Sequence, residues 1–338
     1  MTLKAPPLVS LFSGAGGLDL GFRQIGFETV AAYDSCESAV RTFNKNSKSA
    51  TCTVTDLSKC TPLQIVEEIK TLGKSPKGVI GGPPCQGFSV GNVSAKADDP
   101  RNQLPYRFVG ILDSLNYNFG IDFFVFENVP GLKLRKHNRR FERIKNRLCK
   151  AGFTIYEKEV NAVNFGVAQN RRRLIVVGIN KILDGVVKFA FPTGYARAKT
   201  VRDVIGGLPD PVFFEHRFTQ DTIPFHPNHW TMQPRSKKFT TQEFGEGRSF
   251  RRLNWNEPSH TVAYGNREIH VHPDGKRRLS IFEAMLLQGF PKSYVLEGTF
   301  SKQVEQVSNA VPPPMARAIG KSILKHLYPG RDNKGKEA

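Results

Sequence analysis

The segment Gly81-Gly82-Pro83-Pro84-Cys85-Gln86-Gly87-Phe88-Ser89 puts a thiol directly behind a short apolar run. Its two prolines stiffen the approach, and the glycines on either side allow an unusual backbone path. A lone cysteine is more often a small buried hydrophobe than a nucleophile, so its surroundings have to decide. The polar, glycine-containing stretch from Gly91 to Asp99 has the make-up of a loop that closes over a site. Further on, Phe123-Phe124-Val125-Phe126-Glu127-Asn128-Val129-Pro130-Gly131 ends a very apolar run on a carboxylate. A carboxyl buried there is a candidate proton donor, although a salt-bridged structural glutamate is the commoner occupant of such a place. Gln169-Asn170-Arg171-Arg172-Arg173 leads into Leu174-Ile175-Val176-Val177. On a strand, alternation sends Arg171 and Arg173 to one face and Arg172 to the other. Two guanidiniums near Cys85 would favour its thiolate and could hold a base or a phosphate. Without that company they would be a basic strand end at the surface.

A second set of residues suits a nucleoside. Phe12-Ser13-Gly14-Ala15-Gly16-Gly17-Leu18-Asp19 is a glycine-rich turn between a strand and a helix, which lets the backbone approach a ligand closely. Asp19 stands where a dinucleotide fingerprint has its third glycine, and an acid there disfavours a pyrophosphate. Asp34, ending the next strand, could accept from ribose hydroxyls. Asp56, after Thr53-Val54-Thr55, could accept from an adenine amino group. Singly these are a turn and two caps; in order they suggest a nucleoside without a phosphate requirement.

The elements around these residues alternate between strand and helix. Leu8–Phe12, Thr29–Tyr33, Gly78–Ile80, Ile121–Phe126, Phe153–Val160 and Leu174–Ile179 read as strands. Leu18, Phe22 and Ile25 mark a first helix. Thr61-Pro62-Leu63-Gln64 reads as a capping box with proline at the first helical position, followed by an inward stripe of Leu63, Val66 and Ile69 and a stop at Gly73. Between Lys133 and Lys150, Phe141, Ile144 and Leu148 face inward. The opposite face carries Arg139, Arg140, Arg143, Arg147 and Lys150, ordinarily a solvated surface. The pattern predicts an α/β, doubly wound, Rossmann-like sheet with ligands at the strands' carboxyl ends. From about Phe191 the texture turns to proline, aromatics, histidine and arginine, which predicts a second, smaller, mostly β domain. Met315, Ile319 and Ile323 mark a last helix. The expected division is 1–182 for the larger domain, completed by 303–328, then 183–302 for the smaller one and a disordered tail at 329–338.

Lysine and arginine exceed aspartate and glutamate by 19. Such a field attracts polyanions, with nucleic acid the first candidate and an anionic membrane the second. No long apolar run appears, and Met1 to Pro7 lacks an apolar signal region, so a soluble cytoplasmic protein is expected. Five cysteines without a Cys-x-x-Cys pair suit reduced thiols, and the histidines do not cluster with them at zinc-ligand spacing. No metal is expected.

Taken together, Phe-Ser-Gly-Ala-Gly-Gly, Pro-Pro-Cys-Gln, Glu-Asn-Val and Gln-x-Arg-x-Arg resemble the DNA cytosine-C5 methyltransferase family. So do Arg278-Leu279-Ser280 leading to Leu287-Gln288-Gly289-Phe290-Pro291, and Gln306-Val307-Ser308-Asn309-Ala310-Val311-Pro312. The resemblance runs from about Leu8 to Leu327. It implies that Phe12, Gly14, Gly16, Asp34, Asp56 and Asn309 bind S-adenosylmethionine. It further implies that Cys85 is the nucleophile, that Glu127 binds the target cytosine, and that Arg171 and Arg173 support the site. The region between Arg173 and Arg278 would read the target. Arg251 and Arg252 are expected to contact DNA there, and Arg267, in Gly265-Asn266-Arg267-Glu268, to read a guanine. The family often ends its second strand on glutamate and a bulky apolar residue; Asp34-Ser35 shortens that reach. The expected partners are double-stranded DNA and S-adenosylmethionine, and the expected protein is a monomeric bacterial modification enzyme of a restriction-modification system, associated with the nucleoid when bound to DNA. The alternatives are a transfer-RNA methyltransferase of the same fold and a non-catalytic DNA-binding homologue.

Overall fold

The computed structural model describes residues 5–48, 50–84, 100–194, 197–215, 218–245, 250–261 and 270–329. Along the chain these form β1 (Pro7–Leu11), α1 (Gly17–Arg23), β2 (Glu28–Asp34), α2 (Glu37–Lys45), β3 (Cys52–Val54), α3 (Pro62–Thr71) and β4 (Gly78–Gly81). There follow α4 (Leu104–Phe119), β5 (Phe123–Asn128), α5 (Arg135–Lys150), β6 (Phe153–Asn161), β7 (Gln169–Asn170) and β8 (Arg172–Asn180). Then come α6 (Val201–Ile205), β9 (Val212–Phe213), β10 (Trp230–Thr231), α7 (Lys238–Thr241), β11 (Ser259–His260), α8 (Ile281–Leu287), α9 (Phe300–Asn309) and α10 (Pro313–Leu327).

One compact unit comprises Met1–Val160, Arg172–Thr193 and Ala316–Ala338. Its seven-stranded sheet runs β3-β2-β1-β4-β5-β8-β6. The pairs β1/β2, β1/β4, β2/β3 and β4/β5 are parallel, and β5/β8 is antiparallel. The order reverses between β1 and β4, which makes their carboxyl ends the crevice where such sheets bind ligands. Continuous apolar runs produce strands buried on both faces: every residue of β5 is buried. Phe123 and Phe124 lie over glycines of the flanking strands. A Cβ on Gly78 or Gly178 would come within 2.4 Å or 1.9 Å of those rings.

The predicted helices are present as α1, α3, α5 and α10, whereas α2 and α4, which also flank the sheet, were not expected from the sequence. Thr61 accepts from the Gln64 backbone and Gln64 returns the bond, closing the predicted capping box of α3. The inward stripe of α3, however, is Ile65, Val66 and Ile69, and Leu63 is 63% exposed. Residues 63, 66 and 69 drift around a helix of 3.6 residues per turn, whereas 65, 66 and 69 stay on one face. On α5, Phe141, Ile144 and Leu148 join the main core. Met315, Ile319 and Ile323 of α10 are fully buried.

The second unit comprises Asn161–Arg171 and Gly194–Met315. Strand pairing among its described residues amounts to two-residue ladders, β9/β10 and β7/β11, plus isolated bridges. Four helices, α6 to α9, contribute more residues than the strands, so the described residues do not have the mostly β character expected. The proline- and aromatic-rich stretches fold instead around side-chain contacts. Arg277 makes a buried two-pronged pair with Glu283 (Nη1–Oε2 and Nη2–Oε1, both 2.9 Å), and Glu283 also accepts from the Ser280 backbone at 2.7 Å. Residues 161–171 belong here because β7 pairs with β11, and residues 303–315 because α9 is held by partners in this unit, described below. Among the described residues no helix is long and apolar enough to cross a membrane.

Candidate active site

The first unit gathers several of the predicted residues at the carboxyl ends of β1, β2, β4 and β5. After β1 the backbone enters left-handed conformations at Phe12 (φ 55°), Gly14 (φ 53°) and Gly16 (φ 77°), the last capping α1. Ser13 fastens this turn to β2 by donating its amide to Tyr33 O at 3.0 Å. Asp34 fastens it again: Oδ2 accepts from the Gly14 amide at 2.8 Å and Oδ1 from the Cys36 amide at 2.8 Å. A Cβ on Gly14 would meet nothing within 4 Å, so the turn borders open space at the crevice. Asp56, beyond β3, accepts from the Ser58 hydroxyl at 2.6 Å and the Ser58 amide at 3.0 Å. The Ser58 hydroxyl bond comes first among the influences that lower its pKa. A turn with room over it and two carboxylates at successive strand ends fits an uncharged ribose and adenine.

Asp19 proves to be structural. It is buried, accepts from Ser10 Oγ (2.8 Å) in β1 and Thr29 Oγ1 (3.0 Å) in β2, and burial pushes its pKa up to about 6. The acid that disfavours a pyrophosphate thus clamps the two strands beneath the glycine turn. Its composition-breaking position was visible in the sequence, but its partners were not.

Glu127, at the end of β5, is 8% exposed and pairs with Arg173 Nε at 2.8 Å. Gly82 lies against this pair: a Cβ there would fall 2.7 Å from Glu127 Oε2. Asn128 donates to Pro83 O at 3.3 Å, tying β5 to the prolines that lead to Cys85. Gly82 and Asn128 were not singled out beforehand, although both sit inside the quoted motifs. Cys85, the stretch Gly91 to Asp99 and Arg267 lie outside the described residues. The described cysteines Cys36, Cys52, Cys60 and Cys149 are free thiols.

Exposure alternates along 171–173 as the strand period requires. Arg171 and Arg173 are buried, whereas Arg172 is exposed and pairs with Glu159 at 3.5 Å. The two buried arginines have different partners. Arg171, in the second unit, donates through Nη2 to Ser308 O at 2.7 Å. Gln288 donates through Nε2 to Val307 O (2.9 Å) and Ala310 O (2.6 Å). Together they satisfy carbonyls that the end of α9 leaves open and fix the turn carrying the exposed Asn309. In the same unit Arg251 is half-buried, and Arg252 spends its Nε on Pro273 O at 2.9 Å.

Residues 7–325 match the family of C-5 cytosine-specific DNA methylases. The chain belongs to that family. It is 32% identical to the type II methyltransferase M.MthTI of Methanothermobacter thermautotrophicus, over 95% of this chain and 97% of that one. Identity to M.FnuDI of Fusobacterium nucleatum is also 32%, over 95% and 94%. Among solved structures, a prophage-encoded E. coli protein assigned as a DNA modification methyltransferase superposes with a TM-score of 0.77 at 26% identity, covering 96% and 99%. A mutant DNMT2 from Spodoptera frugiperda shares the fold, with a TM-score of 0.67 at 16% identity and coverage of 96% and 100%. The protein is thus a DNA cytosine-5 methyltransferase, and its family implies S-adenosylmethionine as methyl donor.

Proposed function

We propose that this methyltransferase works by covalent catalysis from Cys85 on a cytosine flipped out of duplex DNA. The observation that carries the reading is the buried Glu127–Arg173 pair against Gly82, three residues before Cys85. C5 of cytosine is a poor nucleophile. Addition of the Cys85 thiolate to C6 turns C4–C5 into an enamine whose C5 can be alkylated. Glu127 holds N3 and the amino group, where charge develops as the thiolate adds, and Arg173 fixes its carboxyl group in place. S-adenosylmethionine, when bound, supplies a methyl group made electrophilic by its sulfonium. Phe12, Gly14, Gly16, Asp34, Asp56 and Asn309 would hold it, with Asp34 also organising the turn. Loss of the C5 proton and departure of Cys85 restore aromaticity. Because C6 cannot be reached inside a stacked duplex, the base must leave it.

Arg171, a residue of the second unit, would support catalysis by fixing the turn that bears Asn309. The second unit would read the target sequence, with Arg251, Arg252 and Arg267 among its DNA contacts. The names of the type II relatives favour a modification enzyme of a restriction-modification system. A duplex carrying 5-fluorocytosine at the target tests the mechanism. Cys85 can add and the methyl can transfer, but fluorine cannot leave as a cation. The adduct should survive denaturation, need S-adenosylmethionine to accumulate, and vanish in Cys85→Ala. Methylation of normal duplex with no such adduct would rule the mechanism out.

A further inference from the structure

A groove of about 500 Å³ runs between α4 and α5 in the first unit, lined by Gln103, Tyr106, Arg140, Arg143, Asn146 and Arg147. None of the six is acidic. The guanidinium of Arg147 lies over the Tyr106 ring, 5.1 Å from its centroid, which holds one long side chain in place. Nearby acids are spent on lysines: Glu142 pairs with Lys145 at 2.9 Å, and Glu157 with Lys133 at 2.9 Å and Lys145 at 3.2 Å. Among the described residues Arg143 and Arg147 have no acidic partner. The charge of Arg143 and Arg147 in the groove therefore has no acidic counterpart among the described residues.

The groove also lies apart from the catalytic pair. α5 leaves the carboxyl end of β5 and descends along the sheet. At its far end Asn116 of α4 donates to Ala151 O at 2.9 Å and accepts from the Ile121 amide at 2.9 Å, at the amino end of β5. Arg140 to Arg147 thus occupy the helical flank, on the way down from the edge where Glu127 sits.

We infer that this groove binds the phosphodiester backbone of duplex DNA outside the base pairs being modified. Arg140, Arg143 and Arg147 span about 10 Å of helix axis at 1.5 Å per residue. One DNA strand presents a phosphate about every 3.4 Å of duplex axis, so roughly three phosphates face three guanidiniums. Gln103 and Asn146 add amide donors for the same oxygens. A contact of this kind reads no sequence; it lengthens the footprint and steepens the salt dependence.

The inference rests on DNA being the substrate, and the test separates the two. Arg140→Gln/Arg143→Gln/Arg147→Gln is compared with wild type on a duplex of about one helical turn and on one of about four turns. Both are built around a site mapped by sequencing methylated cytosines. On the long duplex the slope of log affinity against log salt should become shallower by about 2 to 3, since each phosphate contact contributes about 0.9. S-adenosylmethionine affinity and kcat/KM on the short duplex should stay within about twofold of wild type. Should the triple variant fail to fold, Arg143→Gln alone should reduce the slope by about 1. An unchanged slope on the long duplex overturns the inference, as does an equal change on both lengths, which would place the arginines at the target site. Tight binding of inorganic phosphate by wild type that the variant loses would make the groove a small-anion site instead. If DNA from cells expressing the protein yields no methylated cytosines to map, the reading of DNA as substrate fails independently.

Discussion

Replacing Asp19 by asparagine should make the fold more resistant to rising pH. In the native state this carboxyl is 2% exposed and has a pKa near 6, against 3.8 for an unperturbed aspartate, with burial as the largest cause. The hydroxyls of Ser10 and Thr29 favour the charged form and only partly offset that burial. The difference, 6 minus 3.8, is 2.2 units, or about 3 kcal/mol at 1.36 kcal/mol per unit. The folded pKa is raised, so the folded state holds its proton longer than the unfolded chain does. Stability from this group is therefore complete below about pH 4 and is lost as pH rises to about 6 and beyond. Asparagine fills the same space without ionising. Urea unfolding of both proteins from acid to neutral pH should show the asparagine variant gaining on wild type by up to about 3 kcal/mol across that window, and by little below it. Carboxylates with lowered pKa, such as Asp56 and Asp203, titrate in both proteins and cancel in the difference. A difference that stays flat with pH would refute the reasoning. A variant that instead loses ground as pH rises would show that the two hydroxyls outweigh burial.

Three further outcomes are expected. Gly82→Ala should slow methyl transfer about 100-fold with near-normal cofactor affinity, because the new methyl would sit 2.7 Å from Glu127 Oε2 while Arg173 holds the carboxyl in place through Oε1; single-turnover rates close to wild type would remove Glu127 from the reaction. Asp56→Ala should weaken S-adenosylmethionine binding by about 1–3 kcal/mol through a lost hydrogen bond, and calorimetry showing unchanged affinity would count against that contact. Arg267→Ala should relax base choice at one position by roughly 1–3 kcal/mol; an unaltered methylation pattern with full activity would exclude a guanine contact.

What the sequence determined by itself is whatever depends on near neighbours along the chain. The Thr61–Gln64 box, the inward Phe141, Ile144 and Leu148, and the apolar strands of the sheet follow from spacings of two to four residues, and the structure has them all. Motif order was equally legible, since it survives without coordinates, and it was enough to point to the family. Tertiary structure alone decided which groups meet across long stretches of chain. Asp19 was flagged as out of place, but only strand pairing brought Ser10 and Thr29 to it. Asp34 was expected to serve a ribose, yet it also holds the Gly14 amide, 20 residues earlier. Arg171 and Arg173 are alike by sequence, but one ends at Ser308, 137 residues away, and the other at Glu127. The arginines of α5 gained a groove only because α4 packs beside them. Hydrogen bonds and ion pairs reach only a few ångströms and depend on direction, so their partners exist only once the chain has closed on itself.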